Sequence, residues 1–317
     1  MSEPPLLVLG VRRSGTTLLR VMLDRNSGIA VPDESYFVPQ LARRHGRSVD
    51  PGSFLDDLRR LPTLREWSLP LDDVAARLRP GMTTGEAIGA VFEAYAALQG
   101  KARWGDKTPM YMQYLPLLER LFPTARFVHL VRDGRDAALS FLSMPAGIVT
   151  EGWGHPRDAE GFACQWRTEV VAARALGRRV GSARYLELRY EDLVAGPEDQ
   201  LQRICSFAGL PYEPGMLGYV GQVDLVGKPH QQRLAQPPTV GVRDWRTDMP
   251  VHDEHAFEAV AGGLLGELGY EVRSPDAGGA GSRLRLASYR GAAAAWRGTG
   301  YVLQRSPLWR RRHPPLV

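Results

Sequence analysis

The stretch Leu6-Leu7-Val8-Leu9-Gly10-Val11-Arg12-Arg13-Ser14-Gly15-Thr16-Thr17-Leu18-Leu19-Arg20 runs four apolar residues into a loop with two glycines, a basic pair and three hydroxyls. A helical pattern follows at once. A buried strand that enters a tight turn and then a helix N-terminus brings backbone N–H groups and the helix dipole together on one anion. The spacing Gly10-x4-Gly15 matches the phosphate loop G-x-x-x-x-G-K-[ST]. Thr16 occupies the place that loop reserves for lysine, and the cation sits earlier, at Arg13. The expected ligand is therefore a phosphorylated donor other than Mg-ATP.

Outward from this loop, apolar strand patterns alternate with helical ones. Strands are expected near Leu6–Leu9, Ile29–Val31, Arg126–Val131 and Tyr185–Leu188. Helices are expected near Thr17–Arg25, Thr84–Ala97, Tyr111–Leu121, Ala159–Leu176 and Pro197–Ala208. Residues 36–100 read as helical and rich in loops, and Trp104–Pro109 as a polar turn. The alternation predicts an α/β fold, a phosphate-loop-like parallel β-sheet flanked by helices. Composition shifts to Gly, Ala and Arg after Ser274, which predicts a core domain over 1–274 and a basic C-terminal tail over 275–317.

A chain of 317 residues with 44% hydrophobic and 24% charged residues has the composition of an ordinary globular protein. Its net charge of +5 is local. Eight arginines lie between Arg283 and Arg312, and the rest of the chain carries 32 Lys and Arg against 35 acids. Two isolated cysteines, Cys164 and Cys205, build neither a disulfide framework nor a zinc site and read as buried thiols. The N-terminus has no basic segment ahead of an apolar run, and no apolar run approaches the length of a membrane span. Both point to a cytoplasmic protein.

Two further constellations carry chemistry. Arg132 stands at the end of the Phe127–Val131 strand, and Ser140 lies eight residues on. In open parallel sheets ligands bind beyond the carboxyl ends of strands, so this pair is placed to grip a second phosphate. Glu34 follows a strand end and has the chemistry of a general base. Lys107, in Asp106-Lys107-Thr108-Pro109, has the charge to stabilise a transferring group. His129 lies inside an apolar strand and reads as a core residue; Trp153, Trp166 and Tyr111 read as core or rim packing, with the lining of an acceptor pocket as the alternative.

Together these segments resemble the sulfotransferases that use 3′-phosphoadenosine 5′-phosphosulfate (PAPS), over about residues 5–250, and most closely a bacterial branch similar to tyrosylprotein sulfotransferase. Arg13-Ser14-Gly15-Thr16-Thr17 with Pro32-Asp33-Glu34-Ser35 resembles that family's 5′-phosphosulfate loop and the acidic segment after it. Val131–Arg135 with Ser140 resembles the 3′-phosphate site, and Tyr190-Glu191-Asp192-Leu193 a segment whose tyrosine lies by the adenine.

The resemblance implies roles. Arg12, Arg13, Ser14, Gly15, Thr16 and Thr17 would hold the 5′-phosphosulfate, and Arg132 and Ser140 the 3′-phosphate. Tyr190 would lie at the base. Glu34 would deprotonate an acceptor hydroxyl on a sugar, a natural product or a tyrosine. Lys107 and Arg13 would stabilise the sulfuryl group and the leaving phosphate, with no metal, and 3′,5′-ADP would leave as product. Thr239 and Arg243 are late candidates for the donor site. Cytosolic small-molecule sulfotransferases carry Lys in place of Arg13 and Trp in place of Leu18, and use a histidine base, so that branch is disfavoured.

A phosphate-loop kinase, opposed by Thr16, and a nucleotide-binding protein without turnover, opposed by the Glu34/Lys107 pair, are the alternatives. The tail interleaves arginines with Leu284, Leu286, Tyr289, Trp296, Tyr301, Leu303 and Trp309. It reads either as a solvated end or as a segment for weak contact with an anionic membrane surface or an acidic partner. No groove-reading motif suggests nucleic acid.

Overall fold

The computed structural model describes residues 3–144, 156–220, 236, 244–274 and 278–312. The N-terminal part holds β1 (Leu6–Leu9), α1 (Thr16–Asp24), β2 (Ile29–Ala30), α2 (Val38–His45), α3 (Pro51–Leu58), α4 (Pro62–Glu66), α5 (Leu71–Ala75) and α6 (Thr84–Leu98). The middle holds β3 (Arg103–Lys107), a 3-10 turn over Pro109–Gln113, α7 (Leu115–Leu121), β4 (Arg126–Val131) and α8 (Gly134–Leu142). Then come α9 (Ala159–Val180), β5 (Tyr185–Arg189), α10 (Tyr190–Ala195), α11 (Pro197–Ala208) and a 3-10 turn over Pro214–Leu217. Helices α12 (Trp245–Asp248), α13 (Val251–Glu267), α14 (Ala280–Arg305) and α15 (Pro307–Arg312) complete the described chain.

The five strands form one parallel sheet in the order β2-β3-β1-β4-β5. Alternate residues of β1 serve the two faces, as the two-residue period of a strand requires. Leu6 and Val8 pack with α1, α10 and α11, while Leu7 and Leu9 join the larger core under α6, α7, α9 and α13. Covered on both faces, β1 is apolar throughout, as a parallel strand must be.

β3 corrects the expectation of a polar turn at Trp104–Pro109. Arg103-Trp104-Gly105-Asp106-Lys107 is a fully buried strand paired with β1, Leu6 opposite Gly105 and Val8 opposite Lys107. Its charges are tolerated because distant segments meet them. Arg103 donates to the Ala208 carbonyl at the C-terminus of α11, the Ser35 hydroxyl donates to Asp106, and Lys107 meets Glu34. A Cβ on Gly105 would come within 2.8 Å of the Leu6 carbonyl oxygen, which explains glycine in the middle of a strand.

His129 is a core residue, as expected, with Nδ1 2.7 Å from the Tyr185 hydroxyl. Trp166 and Tyr111 are buried, and both cysteines are buried free thiols. Trp153 lies outside the described residues. Among the described residues no helix is long and apolar enough to cross a membrane. The arginine-rich segment forms α14, a 26-residue helix that lies against α2, α9 and α13. Leu286 is buried on its inner side, and Arg285 pairs with Asp158 and Glu160 near the start of α9.

Candidate active site

The carboxyl ends of β1, β3 and β4 gather the residues singled out in the sequence. Gly10 lets the chain leave β1, since a Cβ there would lie 2.6 Å from Thr16 Cγ2 and 2.8 Å from the Leu130 carbonyl oxygen. Gly15 has φ of +85° and sits where a Cβ would strike the Tyr190 ring at 2.3 Å. Both glycines are therefore required, one by crowding and one by crowding and backbone conformation. Arg13 also has a positive φ, +70°, unusual for a side-chain-bearing residue.

That turn presents Arg13 to the second constellation. Arg13 Nε donates to Ser140 Oγ at 3.0 Å, Arg132 Nη1 donates to the Arg13 carbonyl oxygen at 3.0 Å, and the Arg132 guanidinium lies 4.7 Å from the centre of the Tyr190 ring. Arg13, Gly15, Arg132, Ser140 and Tyr190 thus form one cluster drawn from the turns after β1 and β4, from α8 and from the start of α10. Arg132 Nε in this cluster and Ser14 Oγ in the loop beside it are buried with no hydrogen-bond partner. Orphaned donors beside a helix N-terminus are the groups a phosphate would satisfy.

Arg132 is held from behind. Its carbonyl accepts from Trp166 Nε1 at 3.1 Å. One turn on, the buried Arg135 binds both oxygens of Asp133, Glu258 and the Glu271 carbonyl, and stacks 3.5 Å over Trp245. Trp245 N in turn donates to Asp136. Thr239 and Arg243, just ahead of this anchor, lie outside the described residues.

Glu34 and Lys107 meet on the other side of the loop. Lys107 is 1% exposed and donates to Glu34 Oε1 at 2.5 Å and to Thr17 Oγ1 at 3.2 Å. The Tyr36 hydroxyl donates to Glu34 Oε2. Burial works to raise the Glu34 pKa. The charge and hydrogen bond of Lys107, the Tyr36 hydroxyl and the charge of Arg12 outweigh it and hold the carboxyl below its usual value. Arg20 on α1 fixes the approach to Glu34, donating to the Val31 carbonyl and pairing with Asp33 at 2.9 Å. Arg12 is placed differently from Arg13: its charge acts on Glu34, Tyr36 and Glu169.

Four residues to which the sequence reading gave no role at this pair set the Glu34–Lys107 geometry. Tyr111 OH accepts from Val38 N and lies 2.7 Å from Ser35 Oγ, which donates to Asp106 Oδ1 at 2.7 Å. Thr108 Oγ1 accepts from Ser35 N at 3.0 Å and donates to the same Asp106 oxygen at 3.2 Å. Asp106 is the terminal acceptor of this buried chain, and burial pushes its pKa up to about 7 against those hydrogen bonds. Ser35 follows Glu34, while Asp106 and Thr108 flank Lys107, so one knot places both functional groups. Asp106→Ala removes the acceptor of two buried hydroxyls and is expected to cost about 1–3 kcal/mol. Asp106→Asn keeps an acceptor and is expected to cost clearly less. Urea denaturation of the two variants checks this, and equal losses would show that the knot does not depend on that acceptor.

One parallel sheet thus carries a phosphate-type loop after β1, a second cation at the end of β4 and an acid–lysine pair beyond β2 and on β3. Comparison with known proteins gives the family. The chain matches the family model described as sulfotransferase family over residues 4–214 and belongs to that family. It is 27% identical over 235 residues to protein-tyrosine sulfotransferase 2 of Gallus gallus, covering 72% of this chain and 56% of that protein. It is 29% identical over 303 residues to nodulation protein NoeE of Sinorhizobium fredii, covering 86% of this chain and 67% of that one. The chain thus spans about half the length of the first tyrosine sulfotransferases it matches. Among solved structures it is similar to the sulfotransferase domain of the Synechococcus PCC 7002 olefin synthase, with a TM-score of 0.59, 26% identity, and coverage of 86% of this chain and 97% of that domain.

Proposed function

We propose that the chain transfers a sulfuryl group from PAPS to an acceptor hydroxyl and releases 3′,5′-ADP. The observation that carries this reading is the pairing of two cation sites across one loop: Arg13 with Ser140 and Arg132 on one side, Lys107 with Thr17 and Glu34 on the other. A donor with a 3′-phosphate and a 5′-phosphosulfate on one ribose suits cations on both sides of the loop, and the orphaned Ser14 Oγ and Arg132 Nε are two of the donors it would use. Bound there, PAPS supplies an activated sulfuryl group on a phosphate that can leave.

The residues divide the work. The N–H groups of Gly15, Thr16 and Thr17 at the start of α1 bind the 5′-phosphate. Arg132 and Ser140 hold the 3′-phosphate, and Tyr190, packed on Gly15 and under Arg132, lies beside the base. Arg13 meets the charge that grows on the leaving phosphate. Lys107 faces the sulfuryl oxygens.

Glu34 takes the acceptor proton. While paired with Lys107 it is a weak base; the donor's negative charge competes for Lys107, and Glu34 gains proton affinity as that pairing weakens. The same step therefore positions the electrophile's counter-charge and readies the base. Relatives named protein-tyrosine sulfotransferase support a hydroxyl acceptor.

Arg132→Ala tests the donor class. It is expected to weaken 3′,5′-ADP binding by about 1.5–3 kcal/mol and adenosine 5′-phosphate binding far less, because Arg132 addresses only the 3′-phosphate. Calorimetric titration of both nucleotides measures the difference, and equal losses would reduce Arg132 to a structural role.

A further inference from the structure

Helix α9 carries a buried polar face that the reaction above does not use. Gln165 and Glu169 are 2% and 3% exposed, one turn apart, and Gln165 Nε2 donates to Glu169 Oε1 at 2.9 Å. Glu169 Oε2, Gln165 Oε1 and Thr168 Oγ1 remain buried with no hydrogen-bond partner. Positions 165, 168 and 169 fall on one side of a helix. Two of these three atoms can only accept, so the face as a whole calls for donors.

Its place in the fold ties it to the reaction crevice. Between Gln165 and Glu169, Trp166 bonds the Arg132 carbonyl at the carboxyl end of β4. α9 also packs on the 3-10 turn 109–113, which follows Lys107. Arg12, in the phosphate loop, is within electrostatic reach of both Glu34 and Glu169. α14 packs on α9, and the Tyr289 hydroxyl of α14 has its pKa raised by burial and then by the charge of Glu169.

We propose that Gln165, Thr168 and Glu169 form an acceptor subsite that takes a hydrogen-bond donor group, hydroxyl or ammonium, carried by the acceptor away from the hydroxyl that is sulfated. The proposal rests on the sulfotransferase reading and narrows its substrate class to acceptors with a second donor group. Burial pushes the Glu169 carboxyl up to about 7, and Gln165, Arg12, Gln113 and Arg297 lower it without overcoming that effect. Oε1 is met by Gln165, while Oε2 has no hydrogen-bond partner to offset its desolvation.

The test is a series of linear monoalcohols, the matching diols and the matching amino alcohols, two to ten carbons long, as acceptors with PAPS. The wild type is expected to favour diols or amino alcohols over monoalcohols by about tenfold in kcat/KM at one preferred length, the factor one hydrogen bond to a charged group supplies. Glu169→Gln and, separately, Thr168→Val should erode that preference, with 3′,5′-ADP binding used to verify that each variant is folded. A preference for amino alcohols over diols assigns the group as ammonium, and equal preference assigns it as a hydroxyl donor. Transfer to all three classes alike, or a preference untouched in both folded variants, overturns the subsite and leaves the sulfotransferase reading standing. No transfer to any member overturns the subsite as well, and failure to bind 3′,5′-ADP overturns the sulfotransferase reading separately.

Discussion

Glu34→Gln is expected to lower turnover by about 10²–10⁴-fold while 3′,5′-ADP affinity holds. The substitution keeps the shape of the side chain, so its hydrogen-bonding partners Lys107 and Tyr36 remain in reach, but the proton acceptor is gone. Loss on this scale in kcat with unchanged nucleotide binding separates a base from a residue that merely supports the loop. The pH profile gives an independent reading. Glu34 must be deprotonated to act, and its pKa is held below the usual carboxylate value in the free enzyme. The acid limb of kcat/KM, which reports the free enzyme, is therefore expected below the ordinary range for glutamate, with activity lost as pH falls through it. Lys107→Met removes the main opponent of burial, so in that variant the limb should move upward. Turnover in Glu34→Gln within a few-fold of wild type would remove Glu34 from the base position.

Arg13→Ala is expected to cut kcat by about 10²–10³-fold and to weaken 3′,5′-ADP binding much less. An interaction that is stronger in the transition state than in the ground state divides its effect in this way. The structure explains why this position carries the cation. With φ of +70° at Arg13 and +85° at Gly15, the loop turns the Arg13 side chain toward Ser140. Thr16, at the start of α1, lies against Gly10 and supplies no charge in the place where that loop type carries lysine. Arg13→Lys should recover only part of the activity, since a point charge cannot reproduce a planar fork. Equal losses in kcat and in nucleotide affinity would make Arg13 a ground-state binder only.

The phosphate loop, the parallel sheet and the cation at the end of β4 were legible in the sequence because each is local. Four apolar residues before Gly10 signal β1, and the strand ending at Arg132 signals a crevice edge. β3 was not legible. Arg103, Gly105, Asp106 and Lys107 look like a solvated turn because their partners, the Ala208 carbonyl, Ser35 and Glu34, come from far away in the chain. The Ser35–Asp106–Thr108–Tyr111 knot was hidden for the same reason: short hydroxyl side chains reveal nothing until the fold brings them onto one carboxylate. Arg12 and Arg13 read as a pair in sequence, yet Arg13 joins Ser140 while the charge of Arg12 acts on Glu34 and Glu169. α14 was open between a solvated end and a surface-binding segment, since Gly, Ala and Arg dominate it. Leu286 and Tyr289, three residues apart on its inner side, are what seat it on the core.

Direct measurement of group transfer bears hardest on the central claim. The protein is incubated with sulfur-labelled PAPS and a hydroxyl acceptor panel, and in parallel with Mg-ATP, and the release of 3′,5′-ADP and of ADP is followed. The account predicts label on an acceptor, stoichiometric 3′,5′-ADP, and no ADP from Mg-ATP. Mg-dependent turnover of ATP with no transfer from PAPS would contradict it and make the chain a phosphate-loop phosphotransferase instead.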